Sequence, residues 1–145
     1  VLQTARRGHE RGFVAWVVDT QPTYTYAGVL GAGHDGDNLR LAIDLGLDQW
    51  IEGASVRLHG GNARELDDVG GPEAAANLRR VAPPGSRVVL RSLRSDKFGG
   101  RYGARVTLPD GTDLTELLIA DGWLARWDGR GLKPVPPWPR TPTNF

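Results

Sequence analysis

Asp35-Gly36-Asp37-Asn38-Leu39-Arg40-Leu41-Ala42-Ile43-Asp44 decides the fold. It sets an acidic turn directly against a strand. Leu39, Leu41 and Ile43 alternate with Arg40, Ala42 and Asp44, a period of two with one face buried. A second alternation follows, in which Val56 and Leu58 flank Arg57 and His59. Upstream, Tyr24 to Gly33 is rich in aromatic and small residues and reads as a strand. Between the second and third strands, Gly46 to Gly53 reads as a loop carrying Trp50.

Downstream, Gly60-Gly61 ends the third strand, and Asn62 to Gly71 is a polar loop. Pro72 suits the start of a helix, with Glu73 in its first turn. Ala74, Leu78 and Val81 keep helical spacing until Pro83-Pro84 stops them. Val88 and Leu90 mark a fourth strand. After Gly99-Gly100, Tyr102, Ala104 and Val106 mark a fifth. Asp113 and Glu116 have the spacing of a capping box before Leu114, Leu117 and Leu118, and Gly122 suits the end of that helix. Three strands, a helix, two strands and a helix predict an α+β, mainly β fold: a five-stranded OB-type barrel with two to three helices. Another small α+β fold shares this periodicity.

The chain has 145 residues, enough for one domain with a sizeable core. Hydrophobic and charged contents of 39% and 24% are those of an ordinary globular protein. The expected division is an N-terminal arm or linker over 1–22, the barrel over 23–128 and a Gly/Pro-rich tail over 129–145. Phe13 to Val18 would dock as an edge strand. The chain opens on Val1 and contains no Met, which reads as processing or as a piece of a longer protein. No apolar run is long enough for a membrane span. Lacking Cys, the chain has no disulfide and no thiolate metal site. The net charge of +1 argues against a broad basic nucleic-acid footprint, so any phosphate contact must come from individually placed arginines.

Three islands carry chemistry: Asp35-Gly36-Asp37; Arg57 with Asn62 and Glu65; and Asp96-Lys97-Phe98-Gly99-Gly100-Arg101. Their carboxylates and amide oxygen suit a hard cation, and their guanidinium groups suit phosphate oxygens. Taken alone, each has an ordinary reading. Asp37 is a turn carboxylate, Asp35 a turn former and Arg57 an exposed strand cation. Glu65, with Asp67 and Asp68, is solvated loop surface, and Arg101 is a surface cation. Their joint order raises them above that.

From Tyr24 to Trp127 the chain resembles the staphylococcal nuclease (thermonuclease) family. Asp35-Gly36-Asp37-Asn38 resembles its D-G-D-T motif. Val56-Arg57-Leu58 with Asn62-Ala63-Arg64-Glu65 resembles its arginine-to-glutamate segment. Gly71-Pro72-Glu73-Ala74 matches its helix start, and Asp96 to Arg101 resembles D-K-Y-G-R with one inserted Gly. The Trp50 connection is similar to that of phage and actinobacterial members. The resemblance implies Ca²⁺ held by Asp37, Asn62 and the carbonyl of Ala63. It implies that Glu65 activates water and that Arg57 and Arg101 bind the scissile phosphate. The implied activity is hydrolysis of DNA, or RNA, with little sequence preference, leaving 3′-phosphate and 5′-hydroxyl ends. Trp123 and Trp127 fall near the family's base-stacking aromatics. The departures are Asn62 for Asp, Arg64 for Pro, Phe98 for Tyr, the inserted Gly100 and the acidic Asp67-Asp68. Asn62 is expected to lower metal affinity, and Arg64 to loosen the loop that holds Glu65. The alternative is a non-catalytic OB-type module binding nucleic acid or protein. It would sit in a larger phage or secretion assembly, joined through 1–22 or the tail.

Overall fold

The computed structural model describes residues 23–33, 35–95 and 101–137. The expected arm over 1–22 with its edge strand, the island over 96–100 and the last residues, 138–145, lie outside these.

Five strands close a barrel: β1 (Thr25–Leu30), β2 (Asn38–Gly46), β3 (Gln49–Leu58), β5 (Arg87–Ser95) and β6 (Tyr102–Thr107). Their order around the barrel is β1-β2-β3-β6-β5, and β5 pairs back to β1. All neighbours are antiparallel except β3 and β6, which run parallel. That single parallel seam and the closure are those of an OB-type barrel. Between β3 and β5 the chain makes the short β4 (Gly61–Asn62) and the helix α1 (Gly71–Val81). After β6 come α2 (Leu114–Ala120) and β7 (Ala125–Arg126), which pairs with β4. The described residues therefore hold two α-helices.

The inward residues are those the alternation selects. Leu39, Leu41, Ile43, Val56, Leu58, Val88, Leu90, Ala104 and Val106 are all buried and belong to one core cluster with Leu78, Leu114, Leu118 and Leu124. Burial of a side chain this size stabilises by roughly 1.5–3 kcal/mol against exposure, so one register of β2 and β3 is strongly selected. Arg57, between two core residues, must point outward.

The loop expected over Gly46–Gly53 is not there. β2 runs to Gly46 and β3 starts at Gln49. The connection is Leu47-Asp48, both at positive φ (54° and 56°), as a type I′ hairpin requires. Trp50 lies in β3 opposite Asp44. Glu52-Gly53 form a bulge opposite Ala42, so the hairpin bends while keeping its pairing.

α2 begins at Asp113, whose side chain accepts from the Glu116 amide at 3.0 Å. Only half of the capping box forms. The Glu116 carboxylate turns instead to Arg126, taking both guanidinium nitrogens at 3.0 and 2.6 Å. This exposed fork holds its carboxyl below the usual range, chiefly through the Arg126 hydrogen bond, and ties α2 to β7. Thr115, fully buried, donates to the His59 carbonyl at 3.1 Å. These contacts seat the end of β3, and with it the start of the 62–71 loop, against α2.

Candidate phosphate and cation site

Arg57 is the centre of the site. Its register partners are Asn38 on β2 and Gly103 on β6. Asp37 therefore comes up beside Arg57 at the mouth of β2. Asp37 is 7% exposed. Oδ2 accepts from Arg57 Nη2 at 3.3 Å and from the Ala63 amide at 3.0 Å. The Asp37 carbonyl accepts from the Leu58 amide at 2.8 Å. Two elements 20 and 26 residues downstream thus meet one acidic turn.

Gly36 makes that meeting close enough. A Cβ there would lie 2.9 Å from Ala63 Cβ and 3.0 Å from Ala74 Cβ, well inside van der Waals contact. The acidic turn rests directly on the loop and on α1 because this residue has no side chain.

Asn62 is also buried, at 6% exposure. Its Oδ1 accepts from the same Arg57 Nη2 at 3.4 Å. Asp37 Oδ2 and Asn62 Oδ1 thus converge on one cationic atom, and the Ala63 carbonyl follows directly along the chain. These donors are all oxygen, the type that Ca²⁺ takes. Asp37 and Asn62 would offer a divalent cation one carboxylate and one amide oxygen, a low charge for such a site, and Ala63 meets Asp37 through its amide. Among the described residues no cluster of three or more His, Cys, Asp or Glu gathers as a metal group.

Asp35 contributes more than a turn. Its carboxyl is pushed up to about 6 by burial first, then by the negative charge of Asp37, with a smaller contribution from Glu65. Three carboxylates therefore feel one another across this turn. Asp35 Oδ1 also accepts from the Asp37 amide at 3.4 Å.

Glu65 stands on the loop beyond Ala63, 57% exposed at its side chain, with Lys133 Nζ 3.5 Å from Oε1. The loop is held by Gly71, where an added Cβ would sit on the Glu65 carbonyl, and by the Asp68 amide donating to that carbonyl at 2.9 Å. Arg64 does not loosen this loop, as its place in the pattern implied. It ties the loop across itself to the Val69 carbonyl at 3.2 Å and onward to the Pro136 carbonyl at 2.9 Å.

Arg101 precedes β6. It lies two positions before Gly103, the partner of Arg57, so strand alternation puts it on the outer side that Arg57 occupies. Asp37, Arg57, Asn62 and Ala63 are brought together by direct hydrogen bonds. Glu65 joins through its loop, and Arg101 through its place in the register beside Gly103.

Of the two tryptophans, Trp123 packs against the core. Trp127 stacks with cations: the Arg57 guanidinium lies 5.5 Å from its ring centre and Lys133 Nζ 5.9 Å. An open cleft of about 420 Å³ runs beside them, lined by Asn62, Arg64, Glu65 and Asp68 on one wall and by residues 133–136 on the other.

A scan against models of protein families finds no match to the chain, and a search of curated proteins finds none.

Proposed function

We propose that the chain is a Ca²⁺-dependent phosphodiesterase acting on DNA, or RNA, with little sequence preference. The observation that carries this reading is the convergence of Asp37 Oδ2 and Asn62 Oδ1 on Arg57 Nη2, at 3.3 and 3.4 Å. That point combines cation-binding oxygens with a guanidinium whose carboxylate partner a phosphate would replace. Asp37, Asn62 and the Ala63 carbonyl would hold Ca²⁺. When bound, the ion supplies positive charge to the phosphoryl oxygens.

The chain's own residues do the rest. Arg57 and Arg101 pair with the non-bridging oxygens, where charge grows as phosphorus is attacked. Water is the nucleophile. Glu65 accepts its proton as the new O–P bond forms, the P–O bond to the 5′-oxygen breaks, and that oxygen takes a proton from solvent. An exposed carboxylate on a loop held at both ends suits such a base.

The runner-up reading is a binding module without catalysis. The low charge of the cation site favours it, as does the segment over 133–136 lying across the cleft.

Incubation of DNA with the full chain separates the two. Cleavage in Ca²⁺ that stops in chelator, with 3′-phosphate ends, is the expected result. Binding of DNA that ignores Ca²⁺, with no cleavage by folded protein, would establish the module instead.

A further inference from the structure

The two departures on the cation wall, Asn62 and Arg64, share a partner. Asn62 Nδ2 donates to the Pro134 carbonyl at 3.0 Å, and Arg64 Nη2 donates to the Pro136 carbonyl at 2.9 Å. Both pairs are separated by 72 residues, so the two segments run side by side in register. Extended chain repeats its side-chain direction every second residue, about 6.6 Å along. A donor at 62 and a donor at 64 therefore match carbonyls at 134 and 136.

The chemistry of each residue fits this use. Asn62 acts with both ends of its amide: Oδ1 accepts from Arg57, and Nδ2 gives to Pro134. An Asp at this position has no N–H and would set a carboxylate against the Pro134 carbonyl. Pro at position 64 would have no donor. The captured segment is also suited to capture. Pro134 and Pro136 fix φ and lower the conformational entropy lost on docking. Pro136 is buried. Lys133 adds the contact to Glu65 at 3.5 Å and lies over Trp127.

We propose that Asn62 and Arg64 form a binding site for an extended, proline-bearing chain, which Lys133–Pro136 fills in cis as a strap across the mouth of the phosphate site. The strap occupies Glu65 through Lys133 and shares Trp127 with Arg57, so a nucleic-acid strand entering the cleft must displace it. That last step rests on the phosphodiesterase reading. The capture itself does not.

The chain has no Cys, so two introduced cysteines can carry spin labels uniquely. Val135→Cys labels the strap at a residue 71% exposed, and Arg79→Cys labels the exposed side of α1. In the full chain, pulsed electron resonance should give one narrow distance. Arg64→Ala and, separately, Asn62→Asp should broaden it, each moving the docked-to-open ratio by roughly two- to tenfold, the effect of losing one hydrogen bond. Asn62→Asp keeps the residue's size and an oxygen for Arg57 while replacing the N–H by a charged oxygen that repels the Pro134 carbonyl, and circular dichroism establishes that both variants are folded. A broad distribution in the parent would overturn the proposal. So would a narrow one that neither variant changes. The labelled proteins are then given DNA with Ca²⁺. Faster cleavage by Arg64→Ala supports gating. Release of the strap with no cleavage by any variant leaves the capture standing and removes the phosphodiesterase reading.

Discussion

Asp35 is the residue whose environment differs most from its sequence reading. As a turn former it would titrate normally. Beside buried Asp37 it holds its proton until about pH 6, against an ordinary value of 3.8. The folded state therefore binds more protons than the unfolded state between about pH 4 and 6, and stability must fall as pH rises through that window. Below it both states are protonated, and above it the loss is complete. In chelator, Asp35→Asn should raise the melting temperature at pH 7 and change it little near pH 4. Equal effects at both pH values would show that Asp35 carries no such burden. Joint order and the family resemblance made Asp37 and Arg57 legible at this scale, where each alone reads as a turn carboxylate and a surface cation. They did not reveal the proton on Asp35, which depends on how Gly36 lets the turn sink against Ala63 and Ala74.

At the scale of elements, the positioning of Glu65 depends on a single tight crossing. An added Cβ at Gly71 would land on the Glu65 carbonyl, so α1 cannot start where it does unless that position is glycine. Gly71→Ala should push the loop off the helix, at about 1–3 kcal/mol of stability, the usual cost of overpacking. Cleavage should drop even at temperatures where the variant is folded. A folded variant with parental activity would separate the loop from catalysis. The helices and most strands could be read from the chain, since prolines, caps and alternation are local signals. The β2–β3 hairpin could not. Its turn is Leu47-Asp48 at positive φ, a conformation usually announced by Asn-Gly or Asp-Gly, and the flanking glycines looked like loop boundaries. The docking of 133–136 was equally hidden, because its partners lie 72 residues away. The one available signal was the matching two-residue spacing of Asn62/Arg64 and Pro134/Pro136.

For the molecule as a whole, the proposed activity requires a chain with a net charge of only +1 to hold phosphate by a few placed arginines and not by a general field. DNA affinity measured in chelator should therefore depend weakly on salt. Two contacts to a single strand give a log–log slope of about −1.4, at roughly −0.7 per phosphate. A slope steeper than about −4 on that scale would mean that binding is dominated by basic residues away from Arg57 and Arg101. The barrel itself fixes Arg57 at the junction of β2, β3 and β6, where the core residues on either side leave its guanidinium no other direction. Arg57 is therefore the residue on which the proposed cleavage most depends. The deciding measurement is the initial rate at which the full chain and Arg57→Ala cleave a single-stranded oligonucleotide in Ca²⁺, with circular dichroism confirming that both are folded. Loss of one pre-organised donor to the transition state predicts a fall on the order of 10² to 10³. A near-parental rate in the variant would show that Arg57 does not act on phosphate.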